Sequence, residues 1–182
     1  VASFFVSRID TAVDRQLDDK ARGTSDAGDR ERLELLRGRA GIANAKLAYV
    51  DFKELVASER WAALAGRGAL PQRVLFASTS VKDPRYPELM YVESLVGPAT
   101  VNTIPPPTLK ALRRGLSVRA TLEEDVGLAR AQLASLEALG ISLDAITDEV
   151  LADGVRKFAE PFRRLLAAIE ERRAHLGAPA AH

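Results

Sequence analysis

Three short apolar runs, each followed by a stretch with helical periodicity, constrain this chain more than any other feature. They are Val1-Ala-Ser-Phe-Phe-Val-Ser-Arg8, Arg73-Val-Leu-Phe-Ala-Ser78 and Thr100-Val-Asn-Thr-Ile104. Runs of this length, bounded by turn residues, suit strands covered on both faces. Strands that alternate with helices build a parallel α/β sheet, and right-handed crossovers make the three runs neighbours in chain order. The first two runs turn cationic beyond their C-terminal ends, at Arg8 and at Lys82. In a parallel α/β barrel that end of a strand faces the substrate, so these two residues come first as candidates for chemistry.

The intervening segments read as helices and turns. Residues 40–57 place Ile42, Ala45, Tyr49, Phe52 and Val56, with Ala48 and Leu55, on one face at 3.6-residue spacing, opposite Asn44, Asp51, Lys53 and Glu54. Residues 10–16 start a helix or turn, and residues 18–30 form a charged surface stretch with Gly and Ser. A short helix around Trp61 is stopped by Gly66, Gly68 and Pro71; another spans residues 88–95, and Pro105-Pro-Pro107 opens a helix through Arg113. Beyond Gly115 the pattern becomes purely helical. Leu122, Val126, Ala129, Leu133 and Leu136 make one stripe, and Leu151, Val155, Phe158, Phe162, Leu165 and Ile169 a second; both read as core faces. Residues 174–182 read as a frayed tail or linker.

With 182 residues the chain is long enough for one domain, whereas a complete eight-stranded parallel barrel needs about 250. Three βα units are what half of such a barrel contains. The apolar opening, with no initiator Met and no polar lead-in, suggests a chain cut just before a strand. A net charge of +1 from 26 basic and 25 acidic residues argues against a broad field for nucleic acid or anionic lipid, so any anion site must be local. Cysteine is absent, which excludes disulfides and thiolate chemistry. The only histidines, His175 and His182, lie near the C-terminus, which disfavours a histidine-based triad or metal centre. No apolar stretch approaches the roughly 20 residues of a membrane span. The expectation is a cytoplasmic protein with no metal and no organic cofactor.

Arg8 follows an apolar run, where a guanidinium can hold a phosphate through two parallel charge-assisted hydrogen bonds. The alternative is a salt bridge to Asp10 or to a nearby loop. Lys82 and Ser80, two residues apart on one side of an extended chain, can offer an ammonium and a hydroxyl to the same anion; alternatively Lys82 is a solvated loop lysine. Ser3 and Phe5 share one face of the first run. Asn102 and Thr103 either face a pocket mouth or cap the helix that Pro105 precedes.

Phe4-Phe-Val-Ser-Arg-Ile-Asp10 resembles the (P/F)-(F/Y)-V-x-R-I-D strand of transaldolases, and Ser80-Val-Lys-Asp-Pro84 resembles their S-F-(K/R)-x-P phosphate-binding turn. The order of Leu36-Arg-Gly-Arg-Ala-Gly-Ile-Ala-Asn-Ala-Lys-Leu-Ala-Tyr49, Tyr86-Pro-Glu-Leu-Met-Tyr-Val-Glu93 and Thr100-Val-Asn-Thr-Ile-Pro-Pro106 is similar to that of the longer bacterial transaldolases. The resemblance runs from Val1 to about Leu166 and covers only the C-terminal half of such an enzyme. Phe4 stands where shorter relatives have proline.

The resemblance implies the C-terminal half of a TIM (β/α)8 barrel: three parallel βα units in residues 1–115, helices packing on the same barrel in 116–174, and a tail or linker in 175–182. It implies dihydroxyacetone transfer between sugar phosphates through a lysine Schiff base. The expected substrates are fructose 6-phosphate, sedoheptulose 7-phosphate, erythrose 4-phosphate and glyceraldehyde 3-phosphate. Arg8, Ser80 and Lys82 would grip the phosphate, and Ser3, Phe5 and Asn102 would line the substrate pocket. The Schiff-base lysine of the family precedes the strand that begins at Val1. None of the six lysines lies inside a strand with an apolar flank, as a neutral amine nucleophile requires, so no catalytic residue is expected in this chain. The missing N-terminal half is then a partner, and the chain alone should be inactive. A fructose-6-phosphate aldolase shares the same elements but ends soon after the last βα unit, whereas this chain continues for 67 residues beyond Gly115. A non-catalytic phosphate-binding or assembly fragment is a third reading. Fusion to a glucose-6-phosphate isomerase would use Gly177-Ala-Pro-Ala-Ala181 as linker.

Overall fold

The computed structural model describes residues 1–116 and 118–177, and the chain divides into two compact units, one spanning Val1–Leu143 and one from Asp144 onward. The first holds strands β1 (Ala2–Phe5), β2 (Val74–Ala77) and β3 (Thr100–Asn102). They pair in parallel in the order β1-β2-β3, as the alternation of apolar runs and helices predicts. Helices α1 (Val6–Gly23), α2 (Ala27–Leu36), α3 (Ala40–Ala57) and α4 (Glu59–Ala65) separate the first two strands. Helix α5 (Met90–Ser94) separates the next two, and α6 (Pro106–Leu112) and α7 (Val126–Ala138) come after β3. Among the described residues the sheet has three strands and does not close into a barrel.

One face of this sheet is the core. Phe4 and Phe76 are register partners, and Val74 and Phe76 pack with Val6, Ala45, Tyr49, Tyr91, Leu95 and Leu122, with Phe4, Ile42 and Phe52 against them. Side chains alternate across a strand, so Ser3, Phe5, Leu75 and Val101 occupy the second face. That face is more open: Ser3 and Phe5 are exposed, and Leu75 and Val101 only half-buried.

The first apolar run is shorter as a strand than its sequence suggests. It ends at Phe5, and α1 begins at Val6 without a loop, which puts Arg8 in the first turn of an 18-residue helix. Only the residues beyond the junction mark the division. Val6, Ile9, Val13 and Leu17 recur at helical spacing and are all buried, so Val6 belongs to the helical stripe, although Phe4-Phe-Val6 reads equally well as an extended run. α1 also continues to Gly23, and α2 starts at Ala27, inside the stretch that composition marks as a charged surface segment. The exposed residues there are the outer faces of two helices.

Helix α3 spans the predicted residues, with Ala45 and Tyr49 buried. Leu55, which periodicity places on the same apolar face, is 60% exposed. Lys46 is buried. Its ammonium donates to the carbonyls of Thr121 (2.9 Å) and Glu124 (2.7 Å), tying α3 to the turn before α7. Burial lowers its pKa. A lysine on a helix facing other helices can snorkel to backbone carbonyls, which periodicity does not reveal.

The second unit is built on α8 (Leu143–Gly177), which includes Pro161. The stripe expected to be core, Leu151, Val155, Phe158, Phe162, Leu165 and Ile169, is 55–71% exposed. Helical spacing identifies a face that prefers an apolar neighbour but does not supply one. The helix runs through Gly177, into the segment that composition marks as a tail, and residues 178–182, with most of the suggested linker, lie outside the described residues. No described helix is long and apolar enough to cross a membrane.

Candidate functional site

The C-terminal ends of the three strands are bound together by short polar contacts. Ser7 N–H donates to the Ser78 carbonyl at 3.0 Å, extending the ladder past β1, and the two hydroxyls lie 2.8 Å apart. Ser78 adopts φ +55°, in the left-handed region, so the chain turns sharply as it leaves β2. Buried Thr79 then donates to Asn102 Oδ1 at 2.7 Å, and Thr103 N–H donates to the Phe76 carbonyl at 3.0 Å. These contacts place the residue after Ser7 (Arg8), the loop after β2 (Ser80 and Lys82) and the end of β3 (Asn102) on three adjacent strand ends.

Within this cluster, Lys82 Nζ donates to Ser80 Oγ at 2.8 Å, which joins the two residues expected to share an anion. The Arg8 guanidinium carbon lies 4.9 Å from the centroid of the Phe5 ring, a cation–π contact. Arg8 makes no hydrogen bond to Ser80 or Lys82. Ser3 is exposed on the open face beside Phe5. Asn102 is the register partner of Phe76 and so lies on the opposite face from Ser3 and Phe5, with its carbonyl engaged by Thr79. Helix α6 takes Pro105 as its N-cap and has no side-chain cap, so neither Asn102 nor Thr103 caps it.

The carboxylates around the two cations are engaged elsewhere. Asp10 accepts the Gly41 N–H at 2.7 Å. Asp14 accepts the Gly38 N–H at 3.0 Å and the Tyr86 hydroxyl at 2.6 Å. Asp18 pairs with Arg37, and Asp83 with Arg85 at 2.6 Å, whose hydrogen bonds hold the Asp83 carboxyl down to about 2. Among the described residues neither Arg8 nor Lys82 forms an ion pair with a carboxylate. This answers the salt-bridge alternative for Arg8, because Asp10 is turned towards α3.

Two glycines make that turning possible. A Cβ at Gly41 would lie 2.6 Å from the Val6 carbonyl and 2.9 Å from Asp10, and Gly38, at φ +62°, lies flat against the Tyr86 ring. Sequence reasoning does not single out Asp10, Asp14, Tyr86 and Tyr91 as a group. The available signal is a pair of aspartates four residues apart on the apolar side of α1, flanked by Ile9 and Val13. Buried acids of that kind must find donors. Asp10, Asp14, Tyr86, Tyr91, Lys82 and Arg85 line one cavity of about 440 Å³. Among the described residues no group of three or more His, Cys, Asp or Glu side chains is arranged to hold a metal ion.

Asp10 carries a pH signature. Burial is the main cause that raises its carboxyl to about 6 from 3.8, with Asp14 adding to it and the Gly41 N–H and the nearby Tyr91 phenol opposing it, while its second oxygen is buried without a hydrogen-bond partner. A folded pKa above the unfolded one means that the native state binds more protons between these values, so this group's contribution to stability falls as pH rises from about 4 to about 6. Asp10→Asn keeps an acceptor for Gly41 and removes the titration. The variant should gain roughly 1.5–3 kcal/mol on the wild type between pH 4 and pH 7, measured by urea denaturation at both pH values. A gap that does not change with pH would refute this.

Residues 1–169 of the chain match the family described as Transaldolase/Fructose-6-phosphate aldolase. The chain is 40% identical over 174 residues to a protein named Transaldolase from Trichodesmium erythraeum, covering 94% of this chain and 46% of that protein. It is 44% identical over 173 residues to Transaldolase 2 of Nostoc sp., covering 93% of this chain and 45% of the relative. It is 46% identical over 171 residues to Transaldolase of Arthrobacter sp., covering 93% and 44%. The chain thus spans about half the length of the curated relatives it matches.

Proposed function

The chain belongs to the transaldolase/fructose-6-phosphate aldolase family, and from that premise we propose that it supplies the phosphate-gripping half of a transaldolase-type enzyme acting on sugar phosphates in the cytoplasm. The observation that carries this reading is the state of its two cations. Arg8 and Lys82 follow adjacent strand ends and, among the described residues, neither pairs with a carboxylate: Asp14, Asp18 and Asp83 have other donors, and Asp10 accepts from Gly41 through one oxygen while its second is buried without a partner, which leaves positive charge for an incoming phosphate. Arg8 provides the bidentate fork, Lys82 the point charge and Ser80 a hydroxyl donor. Ser3 and Phe5, on the open face of the sheet, line the sugar side. Asn102, on the core-side face at the end of β3, buttresses the loop through its bond from Thr79.

The reaction we assign is transfer of a dihydroxyacetone unit from a ketose phosphate to an aldose phosphate, through a Schiff base on a lysine outside this chain. Five of the six lysines are exposed, where an amine stays protonated at neutral pH. The sixth, Lys46, spends its donors on two carbonyls. Residues 1–115 would form the last three βα units of the barrel and residues 116–174 the helices packed on it, with β1 pairing along its free edge with the preceding strand. The names of the relatives favour this over a fructose-6-phosphate aldolase.

The direct test mixes this chain with the N-terminal half of the Nostoc sp. relative. Transaldolase turnover from fructose 6-phosphate to erythrose 4-phosphate should appear only when both parts are present. Turnover by this chain alone, or none by a mixture that forms a stable complex, would overturn the proposal.

A further inference from the structure

The loop that carries Ser80 and Lys82 is fastened at both ends. Ser78 and Thr79 hold its start to β1 and β3. Its far end is held by Tyr86, whose hydroxyl donates to Asp14 at 2.6 Å and whose ring lies against Gly38. Asp14 stands on the same helix as Arg8, six residues further on. The phenol–carboxylate bond therefore joins the two elements that bear the proposed phosphate ligands. It also occupies a carboxylate that shares a cavity with Lys82.

We propose that Tyr86 and Asp14 are positioning residues for the anion grip. The Tyr86 hydroxyl fixes the Ser80–Lys82 loop against α1 and, by occupying Asp14, keeps that carboxylate from capturing Lys82. This rests on the phosphate-binding reading and adds to it the groups that hold the grip open. Three observations support it. Asp14 uses both oxygens on neutral donors, the Gly38 N–H and the Tyr86 hydroxyl. Lys82 bonds to Ser80 instead of to any carboxylate lining the same cavity. Burial and the Asp14 bond raise the Tyr86 pKa, so the phenol remains a proton donor throughout the ordinary pH range.

A neutral phenol suits this role better than a cation. A lysine or arginine at position 86 would also hold Asp14 but would bring a competing anion ligand within reach of the incoming phosphate. The hydroxyl satisfies one carboxylate oxygen and adds no charge.

The experiment titrates inorganic phosphate into the 182-residue chain and follows the amide and side-chain NMR signals of Arg8, Ser80 and Lys82. Wild type should saturate with all three sets of signals moving together, and Arg8→Ala should lose the response. Tyr86→Phe should weaken phosphate about tenfold, the scale of one lost hydrogen bond to a charged group, because Asp14 is freed to pair with Lys82. The double variant Tyr86→Phe/Asp14→Asn should regain most of that loss, since the competing charge is gone. Asp14→Asn alone, which keeps polar partners for Gly38 and Tyr86 but loses the charge-assisted bond, should fall between wild type and Tyr86→Phe.

A Tyr86→Phe protein that binds phosphate as tightly as wild type, while Arg8→Ala does not bind, overturns the positioning role and leaves the grip intact. A double variant no better than Tyr86→Phe reduces Tyr86 to a packing residue and also overturns it. Absence of any response in wild type removes the phosphate-binding reading, and this inference with it. Should Tyr86→Phe fail to fold by circular dichroism, Asp14→Ala set against Asp14→Asn decides the matter. Loss of phosphate affinity in both variants to the same degree contradicts the proposal, and a larger loss in the alanine variant supports it.

Discussion

Replacing Arg8 with alanine should weaken binding of a phosphorylated sugar by roughly 10- to 150-fold, the range expected when a charge-assisted hydrogen-bonding group of about 1.5–3 kcal/mol is removed. An unphosphorylated sugar should be almost unaffected. The size of the effect reflects where Arg8 sits. Its guanidinium rests on the Phe5 ring, in the first turn of α1, and Asp10 is committed to Gly41. The fork is thus oriented by an aromatic face without being neutralised by a carboxylate. Arg8→Lys should recover only part of the loss, because an ammonium keeps the charge but cannot make two parallel bonds to one phosphate. The check is a pair of binding isotherms, fructose 6-phosphate and fructose, on the enzyme assembled from this chain and the N-terminal half of a relative. Equal weakening of both sugars would show that Arg8 supports the pocket generally and does not read the phosphate.

Much of the sheet is legible from sequence because its signals are local. Val74 to Ala77 is an apolar run between a glycine-rich stop and a polar turn, and its sheet neighbours are also short apolar runs followed by helices, so strand identity, parallel sense and order all come from pattern and chirality. The end of β1 is not legible in the same way. Phe5 and Val6 are adjacent apolar residues, and only the stripe through Ile9, Val13 and Leu17 reassigns Val6 to α1. The illegible features depend on partners distant in the chain. Asp14 and Tyr86 are 72 residues apart, and Lys46 meets its carbonyls 75 and 78 residues away. The role of such a polar residue is set by the donor or acceptor that the fold brings to it, and neither spacing nor composition identifies that group. The stripe on α8 is the opposite case. Periodicity assigns Phe158 and Phe162 to a core, yet they are 71% and 60% exposed.

The same limit applies within the candidate site. Ser80 and Lys82 are two residues apart in the chain, and a bond from Lys82 Nζ to Ser80 Oγ joins them. Arg8 follows the strand end next to theirs because Ser7 and Ser78 join β1 to β2. Asn102 falls on the core-side face because its register partner is Phe76, and a one-residue change in register would have put it with Ser3 and Phe5.

If this chain carries the grip for a sugar phosphate but not the nucleophile that acts on it, borohydride trapping will show the division between the two halves. Fructose 6-phosphate is incubated with the 182-residue chain, with the N-terminal half of the Nostoc sp. relative, and with the two together; each is reduced, digested and mapped by mass spectrometry. Reduction converts a lysine imine into a stable secondary amine, so the adduct reports which lysine attacked the ketone. No adduct is expected on this chain in any of the samples, whereas a lysine of the N-terminal half should carry one that becomes abundant when this chain is present. A reduced three-carbon or sugar-phosphate adduct on any of the six lysines here, with buried Lys46 and loop residue Lys82 the first to inspect, would place the nucleophile in this chain and refute the division.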